Sequence, residues 1–274
     1  MFELALLVGL GLFVGAYGTI IGAGGGFILV PVLLFLYPEY GPEEVTAMSL
    51  LVVFANSVSG SIAYAWQRRI DYRTGLLFAA AAAPGVVAGA LLVPEVPERL
   101  FTALFGLMLI GLALTSARAR PMSIRAPLRG PGVLVRRVVD QEGRTYVYAY
   151  RVWQACLMAL GIGFISSLFG IGGGVIQVPV MIMLLHIPVQ FAVATSLFTL
   201  SFMTGGATVV HGATGSLAGD QLVQAVALAV GAVPGAQIGA VLAGRIKGRQ
   251  VLLLLAVAIG LLGVRLLLKA IADV

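Results

Sequence analysis

The most specific chemistry in this chain lies in two glycine-rich stretches, GAGGGFILVP from Gly22 to Pro31 and GIGGGVIQVP from Gly170 to Pro179, set 148 residues apart. A helix restarting after Gly26 or Gly174 presents N–H groups with no partner in their own helix, together with the positive end of its dipole. Glycine also lets backbone approach a ligand with no side chain in between. Two such helix starts suit an anion. Gly24, Gly25, Gly26, Gly172, Gly173 and Gly174 are therefore candidate binding residues, against the alternative that they serve only close packing of helices. Gln177, one turn beyond the second run, can donate to an oxyanion. Ser49 and Ser196 occupy equivalent places in Ala47-Met48-Ser49-Leu50 and Ala194-Thr195-Ser196-Leu197. Thr195 and Asn56 complete the set. His211, near the end of an apolar segment, reads as structural, and His186 as solvated.

The surroundings decide what such a site could hold. The apolar stretches contain no Asp or Glu, so no intramembrane carboxylate is placed to hold a metal cation or relay protons. No Lys or Arg lies there either, so an anion would be held by amides, hydroxyls and dipoles. Cys156 is the lone cysteine and has no metal-ligand cluster around it. Neither a metal nor a cofactor is expected. A membrane-embedded enzyme using a dinucleotide at the glycines is disfavoured: no strand and turn precede Gly22 or Gly170, and no acidic residue about 20 positions on is placed to take a ribose.

The elements that must position these residues are membrane helices. Sixty percent of the 274 residues are hydrophobic and 10% are charged. The charge-free windows fall at roughly 4–36, 45–66, 74–94, 100–117, 152–185, 187–219, 221–244 and 251–264. A crossing takes about 20 apolar residues, so these are eight helical units of an all-α integral membrane protein. The opening MFELALLVGLGLFVG lacks a basic region before its apolar run and reads as a retained first segment. The net charge of +6 reads as topology, not nucleic-acid binding.

The halves superimpose on one another. Asp71 matches Asp220, and Pro84-Gly85 with Gly89-Ala90 matches Pro234-Gly235 with Gly239-Ala240, at offsets that drift only between 147 and 150. The basic connections are Arg68, Arg69 and Arg73; the linker arginines Arg118, Arg120, Arg125, Arg129, Arg136, Arg137, Arg144 and Arg151; and Arg245, Lys247 and Arg249. They fall at different places in the two repeats, which implies opposite insertion. Three simple crossings between the linker and the 244–250 loop would end on the wrong side. The 152–185 window, at about 51 Å if it were one helix, is therefore expected to be a re-entrant helical hairpin or broken helix, and 4–36 likewise. Each repeat then holds one such unit plus three transmembrane helices, with both termini outside; Arg265 and Lys269 near the C-terminus count against that side. The expected organisation is a first repeat over 1–117, a cytoplasmic linker over 118–150 and a second repeat over 151–274. Within the linker, GVLVRRVVDQEGRTYVYAYRV pivots on Asp140–Gly143 as a short β-hairpin, whose plain role is to span the repeats.

The paired GAGGGFILVP and GIGGGVIQVP motifs, the later Pro-Gly in each repeat and the basic hairpin linker between them resemble the sulfite exporter TauE/SafE family of membrane transporters, over nearly the whole chain. The resemblance implies movement of sulfite or an organosulfonate across the cytoplasmic membrane. The expected partners are a small anion and the lipid bilayer, with a homodimer left open. A channel would share the site chemistry and differ in gating.

Overall fold

The computed structural model describes residues 2–118, 131–215, 217, 219–243, 245 and 248–272. Arg120, Arg125, Arg129 and Lys247 lie outside them. The chain order is α1 (Phe2–Ile21), α2 (Gly26–Leu36), α3 (Pro42–Trp66), α4 (Tyr72–Leu92), a 3-10 turn at Val93–Glu95, α5 (Glu98–Arg118), β1 (Val133–Val139), β2 (Thr145–Arg151), α6 (Val152–Phe169), α7 (Gly174–Met183), α8 (Val189–Thr214), α9 (Gly219–Ala243) and α10 (Gly248–Ala272). Among the described residues, α1, α3, α4, α5, α6, α8 and α9 are long and apolar enough to cross a bilayer. The molecule is an all-α membrane protein, with one small sheet among the described residues.

Both long windows break where the glycines predict. Gly22, Gly24 and Gly25 adopt φ of 74°, 74° and 91°, and Gly170, Gly172 and Gly173 adopt 66°, 77° and 81°, so the two breaks share one backbone pattern. A left-handed φ at three of four successive positions is open to glycine and strained for other residues. The α2 helix, at 11 residues, and α7, at 10, are about half the length of a crossing.

Side-chain and backbone contacts fix the directions of the helices. The α3 and α9 helices run parallel, since Ser59 Oγ donates to the Val233 carbonyl (2.8 Å) and Gln67 Nε2 to that of Ala240 (3.2 Å). α1 also parallels α9: Gly231, Gly235 and Gly239 pack on the backbone of Val8, Leu12 and Ala16. Because α1 and α3 share a direction, α2 must return, and the Tyr37 hydroxyl indeed donates to Glu3 Oε1 at 2.7 Å, closing a helical hairpin. Likewise Gly85 and Gly89 of α4 pack on Leu160 and Phe164 of α6 in the same parallel sense. The small-residue spacing at 85/89 and 235/239 is therefore a packing device: a Cβ there would come within 2.2–2.4 Å of a carbonyl oxygen on the facing helix. The α5 and α10 helices are antiparallel, with Gly106 against Leu267, Ile110 against Gly263 and Ala113 against Gly260.

Charge is sorted by end. Gln141 Nε2 donates to the Trp66 carbonyl (2.7 Å) and Arg136 pairs with Asp71 (2.6 Å), so the β-hairpin, the arginine-rich 67–71 connection and the close of α9 share one end. At the other end Glu44 accepts from Gln221 (3.1 Å) and Tyr40 from α3's entry donates to Gln224 (3.1 Å). The β-hairpin itself has the expected pivot: Asp140 Oδ1 accepts from the Arg144 N–H at 2.8 Å and Gly143 takes φ 77°.

Candidate functional site

The two breaks meet. A Cβ on Gly26 would lie 2.7 Å from the Gly170 carbonyl oxygen, and one on Gly174 would lie 2.4 Å from that of Gly22. Gly24 and Gly172 both rest on Val53, whose Cγ1 would stand 2.6 and 2.5 Å from their added Cβ atoms. The first turn of α2 thus begins against the second break and the first turn of α7 against the first. Amides at the start of each helix have no acceptor within their own helix. The positive ends of two helix dipoles therefore lie close together in an apolar interior, where a negative ligand is favoured.

The matched serines clamp this crossing reciprocally. Ser49 Oγ, on α3, donates to the Gly170 carbonyl at 2.7 Å, and Ser196 Oγ, on α8, donates to the Gly22 carbonyl at 2.9 Å. Each hydroxyl directs its single hydrogen to the opposite tip's backbone, so these residues hold the breaks together in this conformation and do not face a ligand as donors. Asn56 does the same for the first tip: its Nδ2 donates to the Gly24 carbonyl (3.2 Å) and its Oδ1 accepts from Thr19 Oγ1 (3.3 Å). The Thr195 hydroxyl instead accepts from the Asp71 N–H at 2.9 Å.

Gln177 is different. It is fully buried, and neither its Nε2 nor its Oε1 has a hydrogen-bond partner among the described residues. Leaving a buried amide unpaired costs about 1–3 kcal/mol per group, which sets this side chain apart from the paired polar groups around it. Two hydroxyls near the second tip share that state: Ser167, three residues before Gly170, and Thr46, whose Cα would stand 2.9 Å from a Cβ on Gly170. Sequence reasoning missed both. Their signal was weak, since Thr46 falls one position before the matched Ala47 block and Ser167 matches Thr19, which is internally paired. Gln177 matches Leu29 in the first repeat. At the first tip the Thr19 and Asn56 side chains pair with each other and with backbone, whereas Gln177, Ser167 and Thr46 near the second have no partner among the described residues.

Elsewhere His211 is buried with no partner for Nε2 among the described residues, and Cys156 is a partly buried free thiol. No group of metal-ligating side chains occurs among the described residues. A cavity of 430 Å³ opens at the acidic end, between Gly41–Glu44, Val93–Val96 and the close of α8 at Thr214 and Gly215.

Comparison with known proteins agrees with this architecture. The family model for sulfite exporter TauE/SafE matches residues 7–266. The chain is 32% identical to YunE, a probable membrane transporter protein of Bacillus subtilis, covering 97% of this chain and 98% of that one. It is 29% identical to a probable membrane transporter protein of Methanocaldococcus jannaschii, covering 70% and 66%, and 26% identical to one of Xylella fastidiosa, covering 92% and 89%. No solved structure matches. The chain is thus a multi-pass membrane protein that belongs to the sulfite exporter TauE/SafE family of transporters.

Proposed function

We propose that this protein moves a small sulfur-containing oxyanion, sulfite or a short organosulfonate, across the cytoplasmic membrane by alternating access around the meeting point of the two helix breaks. The observation that carries the reading is Gln177: a fully buried carboxamide with both polar atoms unpaired, one turn into a helix whose positive end faces the opposite break. A tetrahedral or pyramidal oxyanion offers several acceptors to the Gln177 N–H groups, the Thr46 and Ser167 hydroxyls and the first-turn amides of α7. Because these donors are neutral, the anion is bound without being neutralised. That suits release as well as capture.

The repeats are proposed to be inverted, with 1–117 and 151–274 as the two units and 118–150 as the linker. Antiparallel pairing of the equivalent helices α5 and α10, and of α3 with α8 through Gly60 on Leu197 and Gly205 on Phe54, supports an axis lying in the bilayer plane. The arginine-rich end carrying the β-hairpin is then cytoplasmic. The test is flux: purified protein in proteoliposomes should carry radiolabelled sulfite or methanesulfonate faster than empty vesicles, with and without a proton gradient. Equal leakage in both would refute the reading. Saturating flux separates a carrier from a channel.

A further inference from the structure

The linker hairpin is bound to the membrane bundle through a buried carboxylate. Asp71, at the corner between α3 and α4, has a side chain with 0% exposure, and Arg136 of β1 reaches it with Nη2 at 2.6 Å from Oδ1 and Nε at 3.0–3.1 Å from both oxygens. The Tyr148 hydroxyl of β2 also donates to Oδ2, as does Thr74 Oγ1, which in turn shares a 2.8 Å bond with the Tyr150 hydroxyl. Burial pushes the Asp71 carboxyl up, but hydrogen bonds from Arg136, Thr74 and Tyr148 and the guanidinium charge pull it further down, and it stays below the usual aspartate range. Tyr150 is pushed up to about 12, chiefly by burial.

This cluster spans both halves of the chain. The backbone N–H of Asp71 donates to Thr195 Oγ1 on α8 at 2.9 Å, and the Tyr146 ring of β2 stacks edge-on against Phe191 of the same helix (5.3 Å between centroids). The next residue on α8, Ser196, holds the carbonyl of Gly22 at the first break. At the opposite end the equivalent position, Asp220, is exposed and forms no ion pair among the described residues.

We propose that the linker β-hairpin is the latch of the gate at its own end: the Arg136–Asp71–Tyr148 cluster ties the α3–α4 corner to the start of α8 and must release before the site opens toward that side. The proposal rests on the transporter reading. A buried ion pair favours two states, since separating it halfway leaves an uncompensated charge in an apolar setting. The latch therefore holds or releases as a unit, and the pull passes through Thr195 to Ser196 and the first break. Asp220, the equivalent of Asp71, forms no such pair among the described residues, so the two gates differ although the repeats match in sequence.

The experiment measures access and needs no transported substrate, so its failure is distinguishable from failure of the transporter reading. In a Cys156→Ser background, Thr199→Cys is placed one turn deeper than Thr195, where Thr199 is buried and its hydroxyl bonds the Gly75 carbonyl at 3.3 Å. Its counterpart Val52→Cys reports on the other end. Labelling by an impermeant maleimide applied from the hairpin side should speed up about tenfold or more at Thr199→Cys in Arg136→Gln. The same is expected in Asp71→Asn/Arg136→Gln, which removes both charges and stays foldable if the single variant does not. Labelling of Val52→Cys from the opposite side should not change. Unaltered labelling at Thr199→Cys in the folded double variant, or equal acceleration at both positions, would overturn the latch.

Discussion

Gly174→Ala should destabilise the protein, whereas the same change at Gly161 should stabilise it. Both residues lie in helices with ordinary φ, so helix propensity alone favours alanine at each by about 0.5–1 kcal/mol. At Gly161 nothing lies within 4 Å of the new Cβ. At Gly174 the Cβ would sit 2.4 Å from the Gly22 carbonyl oxygen, 2.6 Å from the Ala23 Cα and 3.0 Å from its carbonyl carbon. These atoms are backbone, and the Gly22 carbonyl is also held by Ser196, so relief requires moving one break against the other. Overpacking of this kind costs about 1–3 kcal/mol, and with no flexible side chain to yield the upper end applies. The propensity gain cancels between the two variants, so the difference is about 3 kcal/mol, or roughly 6–12 °C in melting temperature. Thermal unfolding of both variants in the same detergent measures it. If Gly174→Ala melts at or above Gly161→Ala, the breaks do not touch as described.

Other expectations follow from the same contacts. Gln177→Leu, which installs the residue found at the matched position Leu29, should raise the melting temperature of the empty protein by removing unpaired buried groups worth about 1–3 kcal/mol each, while binding is lost; thermal shift with and without sulfite reads both. Ser49→Ala and Ser196→Ala should each destabilise by about 1–3 kcal/mol and by similar amounts, because each leaves a buried Gly170 or Gly22 carbonyl unpaired; a twofold or larger disparity between them in chemical denaturation would break the reciprocal-clamp argument. Since Asp71 titrates below its ordinary value, its contribution is full above the unfolded value near 4, about 3.9 for a free aspartate, and is lost as pH falls through the folded value. Protease nicking of the linker should therefore rise on acidification below about pH 4, and an Asp71→Asn variant should lack that rise.

Much of this architecture is legible in the chain because membrane proteins advertise it. Glycine clusters inside long apolar windows have few uses, and the breaks at Gly22–Gly25 and Gly170–Gly173 fall where the windows were too long for one crossing. Crossing parity called for a hairpin over 152–185, and the 4–36 window, expected to fold likewise, is closed as one by the Tyr37–Glu3 bond. What spacing cannot give is distance between segments far apart in sequence. Ser49 and Ser196 are matched positions, and nothing in a one-dimensional pattern says that their hydrogens go to the opposite break and not to a ligand. Asp71 and Arg136 each look like an ordinary loop charge; only the fold of β1 over the α3–α4 corner, 65 residues away, makes them a buried pair. Thr46 and Ser167 were invisible for a related reason: their unpaired state depends on which neighbours are absent.

The central claim is that a small oxyanion is held beside the second break by neutral donors that include Gln177. Calorimetric titration of purified protein with sulfite and with methanesulfonate tests it. The account predicts saturable binding to the wild type and an apparent Kd raised by roughly 10- to 150-fold by Gln177→Ala, the loss of a hydrogen bond to a charged acceptor worth about 1.5–3 kcal/mol. Gln177→Glu should bind more weakly still, since its carboxylate would face the anion. Undiminished affinity in both variants would contradict this placement of the site.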